Sequence, residues 1–235
     1  FYVSGTTDGN NNALFVGNVV MSGGLNVHGD VEVAQKIIHA GDADTLMRFD
    51  DNQIILKAGN ISMVKMEKKS SGPHEVTIND GSNNIDFVVK GNGSNEGNPG
   101  MKFDASTNKL GINGVGTPDH ELHVRGAIKN TGAVYRKTRV VTSFPYTVAD
   151  DDYVILVGGT GTPRRLDLPA KANHEGRIII VKDSVGNASS NNVELNPDGS
   201  ETIEGQQDKA FNSDRGSVTV VCADDGWHII SEYSG

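Results

Sequence analysis

The chain has 235 residues, 36% of them hydrophobic and 6% aromatic, with a formal net charge of −9. Its fullest basic cluster, "KMEKK" (65–69), reads as a solvated face rather than a phosphate-binding stripe, which argues against nucleic acid or an anionic membrane as partner. The single cysteine, Cys222, rules out an internal disulfide and reads as a buried, inert thiol.

Twenty-nine glycines, with many Asn and Asp residues, point to frequent turns, and no fifteen-residue segment keeps a helical period. An all-β chain is therefore expected. No apolar run nears the ~20 residues of a transmembrane helix, so membrane insertion is not expected, and no signal peptide is visible. The first residue is Phe1 rather than Met, so a longer parent chain is expected.

Three zones follow in order. Residues 1–46 are rich in Gly and Asn, with short apolar bursts such as "ALFVGNVVMSGGLNVHGDVEV". Residues 47–137 alternate like hairpins: "MRFDDNQIIL" (47–56) and "MKFDASTNKLGI" (101–112) each run strand, polar turn, aliphatic strand. "LNVHG" (25–29) and "LHVRG" (122–126) share L-x-V-x-G, with "LFVG" (14–17) a poorer copy. Hairpins with so thin an apolar face cannot bury enough surface alone. Copies wound around one axis would cover their edges, so an intertwined, elongated β-shaft fits residues 1–137.

Residues 138–235 have stronger β-branched runs. Strands are expected near 139–147, 152–157, 165–168, 177–183, 192–196, 217–222 and 227–233, with weaker ones near 201–204 and 208–211. That spacing describes a β-sandwich of jelly-roll type, anchored by Trp227. Pro163 and Pro169 limit the run "RRLDL" to a brief strand.

Several motifs imitate active sites. Gly111, Gly114 and Gly116 suggest a phosphate cradle, but Thr117-Pro118-Asp119 and an extended stretch follow where a helix N-terminus is needed. His120 and His123 suggest a metal pair, yet strand alternation would send them to opposite faces. They remain candidates only for an axial metal assembled by threefold symmetry; no metal or cofactor is otherwise expected. "GDADT" (41–45) departs from both the phosphatase and the calcium-loop spacing, and "ADDDY" (149–153) reads as a solvated turn.

Three segments resemble those of bacteriophage tail fibres, especially fibres of marine phages. They are "HAGDADTLMRFDDNQIILKAGN" (39–60), "FDASTNKLGINGVGTPDHELHVRGAI" (103–128), and "GRIIIVKDSVGNASSNNVELNPDGSETIEG" (176–205) with the closing "DDGWHIISEY". The fibre pattern G-I-G-T is lengthened here to Gly111-Ile112-Asn113-Gly114-Val115-Gly116-Thr117. The resemblance implies a non-enzymatic homotrimer on a virion, made in the host cytoplasm. Its partners would be upstream fibre or tail proteins and a host cell-surface glycan or protein. A neck or collar fibre without receptor role is the first alternative, a glycan-degrading tailspike the second.

Fibre tips bind through loops on a rigid scaffold. The loops expected to do so are 143–146, 158–165, 183–192 and 205–216. Arg164 and Arg165 suit the carboxylates of acidic sugars, Tyr146, Tyr153 and Phe211 suit sugar faces, and Asn187 offers an amide.

Overall fold

The structure is a computed structural model that describes residues 17–93, 98–160 and 163–234. Residues 14–16 of "LFVG", and 161 and 162 of the 158–165 loop, lie outside the described residues. All regular structure among the described residues is β, and no helix there is long and apolar enough to cross a membrane. The chain divides into two compact units, 1–128 and 129–235. The division precedes the one expected at 137 because residues 125–137 contain no strand.

The first unit opens with an antiparallel meander of β1 (Lys36–His39), β2 (Asp42–Asp50), β3 (Gln53–Ala58), β4 (Ile61–Glu67) and β5 (Glu75–Ile78). The boundary expected at 46 falls inside β2, so the first two sequence zones share one sheet. Asp50 pairs with Gln53 across a two-residue turn, and Asn52 takes φ 60°, a left-handed conformation that Asn accepts at low cost. A second sheet joins β6 (Phe87–Val89), β7 (Met101–Asp104), β8 (Lys109–Ile112) and β9 (Leu122–Val124). The turn between β7 and β8 is organised by Asp104, whose carboxylate accepts from the amides of Ser106 and Thr107. The Ser106 hydroxyl bond and the Lys102 ammonium overcome partial burial and hold the Asp104 carboxyl at about 2.

Both expected hairpins are present. The L-x-V-x-G repeat is not structural: residues 122–124 form β9 beside β8, whereas 25–29 are exposed and form no strand. The shared pattern has different outcomes because only one copy has a neighbouring strand to pair with.

The described residues of the second unit form nine strands in two sheets. One sheet contains β10 (Thr138–Val141), β12 (Val154–Val157), β14 (Ile178–Asp183), β17 (Ser217–Ala223) and β18 (Gly226–Tyr233), in that order. The other contains β11 (Tyr146–Thr147), β13 (Arg164–Asp167), β15 (Val193–Asn196) and β16 (Lys209–Phe211). From β10 to β15 the chain changes sheet at every step. The strands β10, β12 and β14 are consequently parallel, as are β11, β13 and β15. The antiparallel ladders β15–β16, β14–β17 and β17–β18 finish the sheets.

The inner residues of both sheets meet in one core that includes Ile155, Ile179, Val218, Leu166, Leu195 and Trp227. The unit is therefore a sandwich. Its pairing departs from the expected jelly roll, which is antiparallel, because each coil leaves one sheet before returning to it. The strand expected over 139–147 is broken into β10 and β11 around Pro145, which has no N–H for a ladder. The one expected near 201–204 is reduced to isolated bridges at Ile203.

Burial is divided unequally. Of the buried hydrophobic side chains among the described residues, only Ile55 and Val115 belong to the first unit.

Candidate functional site

Parallel strands share a direction, so the segments leaving β10, β12 and β14 emerge at one end of the sandwich. Their described residues are 142–145, 158–160 with 163, and 184–192. The connection 212–216, between β16 and β17, joins them there, because Phe211 pairs with Val193 and Ser217 with Lys182. Four segments of the expected binding loops therefore share one end. Residues 205–208 do not, since they precede β16.

These loops are held from beneath by a buried ion pair. Arg164 and Asp183 are both fully buried, with Nη1 3.1 Å from Oδ1. Both point inward by strand alternation: Arg164 shares a face with Leu166 in β13, and Asp183 with Ile179 and Val181 in β14. The second carboxylate oxygen of Asp183 accepts the amides of Asn187 at 2.8 Å, Ala188 at 3.1 Å and Arg215 at 3.1 Å. Arg164 donates to the carbonyls of Gly159 and Asn191. One buried pair thus ties together three of the four loops. Burial pushes the Asp183 carboxyl up, but the three amides and the guanidinium outweigh it and hold it below the usual carboxylate range.

Outer bonds complete the rim. Arg215 donates to the Ser184 carbonyl, and the Ser189 amide donates to Asp214 at 2.8 Å. The Gly159 backbone lies so close to Thr142 that a Cβ there would stand 2.5 Å from the Thr142 carbonyl oxygen, which locks the first two loops together.

The expected site residues separate into three groups. Arg164 and Phe211 are corrected: both are buried, Arg164 by its pair with Asp183 and Phe211 in the core, so neither reaches a ligand. Tyr146 packs against the core, and its hydroxyl donates to Asp152 at 2.6 Å. Burial and that carboxylate push its pKa up to about 12. Tyr153 lies under the Arg136 guanidinium, 5.2 Å from the ring centre. It belongs with Asp152 and Arg139 at the opposite end of β12, away from the four loops. Arg165 points outward on β13 and pairs with Asp167 at 2.6 Å. Only Asn187 lies in the loop cluster, half-buried, and its backbone N–H donates to Asp183. Asp183, the organising residue, was not among the candidates. The alternation of "RIIIVKD" already placed it on the inner face.

The imitation sites resolve as structure. The amides of Asn113 and Gly114 donate to the carbonyls of Gly100 and Pro99, so neither is open to a phosphate. His120 and His123 do not diverge as alternation required, because His120 lies in a bend before β9. Their Nδ1 atoms lie 2.8 and 2.7 Å from Asp119 Oδ1. The His120 bond, opposed by slight desolvation and helped by the charge of His123, lowers the Asp119 pKa. In "ADDDY", Asp150 faces His174 and Arg177, Asp151 faces Lys137, and Asp152 faces Arg139. Among the described residues no group of three or more His, Cys, Asp or Glu side chains is arranged to hold a metal ion. No protein-family profile and no curated protein matches the chain.

Proposed function

We propose that the chain is a non-enzymatic viral tail-fibre protein that attaches a virion to a host cell-surface glycan or protein. The observation that carries this reading is the gathering of residues 142–145, 158–160, 184–192 and 212–216 at one end of a rigid sandwich over the buried Arg164–Asp183 pair. Variable loops anchored on a stiff base are the usual means by which a surface protein reads a ligand. Ser189 and Ser190, both exposed, are the polar contacts available at the crest of the longest of them.

The first unit is the fibre shaft, and it works as a homotrimer. Its support is the poverty of its own core beside exposed Val19, Val20, Met21, Leu25, Ile37 and Ile38. Such a surface is stable in water only when other chains cover it. The virion is the place of work, with upstream fibre or tail proteins as neighbours.

The test is binding of the labelled full chain to a panel of marine bacterial cells and to a glycan array. Binding is expected, and replacing residues 186–190 by a Gly-Ser loop of equal length should abolish it without changing the circular dichroism. Failure to bind any surface, or binding indifferent to that replacement, overturns the receptor role.

A further inference from the structure

The two sheets of the second unit present opposite chemistry to the outside. Outward positions of the four-stranded sheet are Thr147, Arg165, Asp167, Glu194, Asn196 and Ala210, nearly all polar. Their register places Arg165 beside Glu194 and Asp167 beside Asn196, a solvated, ion-paired surface.

The five-stranded sheet is different. Its inward residues form the core, so the alternating residues face out. Register aligns them in rows across the sheet: Thr138, Val154, Ile180, Thr219 and Ser231 in one; Val140, Leu156, Lys182, Ser217 and Tyr233 in the next. A third row is Ile178, Val221 and His228. Six aliphatic side chains thus stand on one flat outer face, none of them buried, and Val140 is 63% exposed.

These rows contain no carboxylate, although the chain holds 30 Asp and Glu residues. The one lysine, Lys182, lies 5.2 Å from the centre of the Tyr233 ring and donates to the Arg215 carbonyl.

We infer that this outer face is a contact surface for a second copy of the same chain. The inference rests on the oligomeric reading above. Copies of a chain with net charge −9 repel one another, and the first two rows of this face let them approach without opposing carboxylates, whereas those of Asp225 and Glu204 stand beside His228 in the third. Its uncharged hydroxyls and aliphatics are compatible with their own image. Thirteen positions, each covering ~4.8 Å by ~6.7 Å, give a footprint of about 400 Å². That is roughly half of what each partner gives to a standard pairwise interface. The face therefore strengthens an assembly in which the first unit also takes part.

The test uses the full chain. Light scattering over a dilution series should give a multiple of 24.9 kDa for the wild type. Ile180→Asp places a charge at the middle of the face and should raise the concentration needed for assembly about tenfold or more. Thr147→Asp, on the polar sheet, should leave it unchanged. Thr219→Cys is nearly isosteric and keeps the fold if Ile180→Asp does not. Its maleimide labelling should slow as protein concentration rises, while that of Glu194→Cys should not; native Cys222 is buried.

Folded Ile180→Asp that assembles like wild type, or concentration-independent labelling of Thr219→Cys, overturns this face and leaves the oligomer standing. Equal weakening by Thr147→Asp does the same. A wild-type mass of 24.9 kDa at every concentration overturns both, and with them any cover by a second copy.

Discussion

Asp183 occupies a position where a carboxylate is costly and has four donors to offset the cost. Removing it leaves the buried Arg164 charge uncompensated. Asp183→Ala should therefore destabilise the second unit by about 3–5 kcal/mol, within the range for broken buried pairs. The fluorescence of Trp227, the one tryptophan, reports this in a urea titration. The pH dependence has a definite sign. Because the folded carboxyl titrates below its ordinary value, its stabilisation is complete above pH ~4 and is lost as pH falls through the folded value. The urea midpoint of the wild type should drop on acidification in that window, and that of Asp183→Asn should be lower throughout and flatter. An identical acid response in both would remove Asp183 from the explanation. The inward position of Asp183 and Arg164 was legible from alternation in "RIIIVKD" and "RRLDL". Their pairing was not, because it depends on two sheets coming face to face.

At the level of elements, turn chemistry was the legible part. Asn52 and Asn108, both at positive φ, close the β2–β3 and β7–β8 hairpins that their sequences announce. Connectivity between distant strands was not legible. Nothing local distinguishes a strand that returns to its own sheet from one that crosses to the other, so the parallel ladders β10–β12–β14 could not be read from runs of Val and Ile. The turn after β8 sits between these cases: its glycines were visible, but their packing was not. A Cβ on Gly111 would lie 2.4 Å from the Val115 carbonyl oxygen, which is backbone and cannot yield. Gly111→Ala should destabilise the first unit by about 1–3 kcal/mol, as overpacked sites do. Hydrogen exchange of the β7 and β8 amides should accelerate, while that of β14 and β17 is unchanged.

For the whole molecule, the unequal division of the core predicts unequal behaviour. The second unit has its own packed interior and should unfold cooperatively. The first has few buried side chains and should depend on association. Differential scanning calorimetry should give two transitions, and the one assigned to the first unit should rise more steeply with protein concentration than that of the second, which keeps its own core and gains only the outer-face contact. A single concentration-independent transition would contradict this division.

Interleaving also sets the order in which the second unit can be completed during synthesis. The strands β10, β12 and β14 emerge from the ribosome separated by excursions into the other sheet, and each pairing must close a loop before it gains anything. The antiparallel ladder that covers β14 waits until Ser217 and its followers have been made. The hairpin β17–β18 is the most local pairing in that sheet, so it is expected to form early once translated and to act as the template on which the older strands settle. A nascent chain stalled before residue 217 should then remain protease-sensitive throughout this unit, with its β-branched strands awaiting chaperones rather than partners.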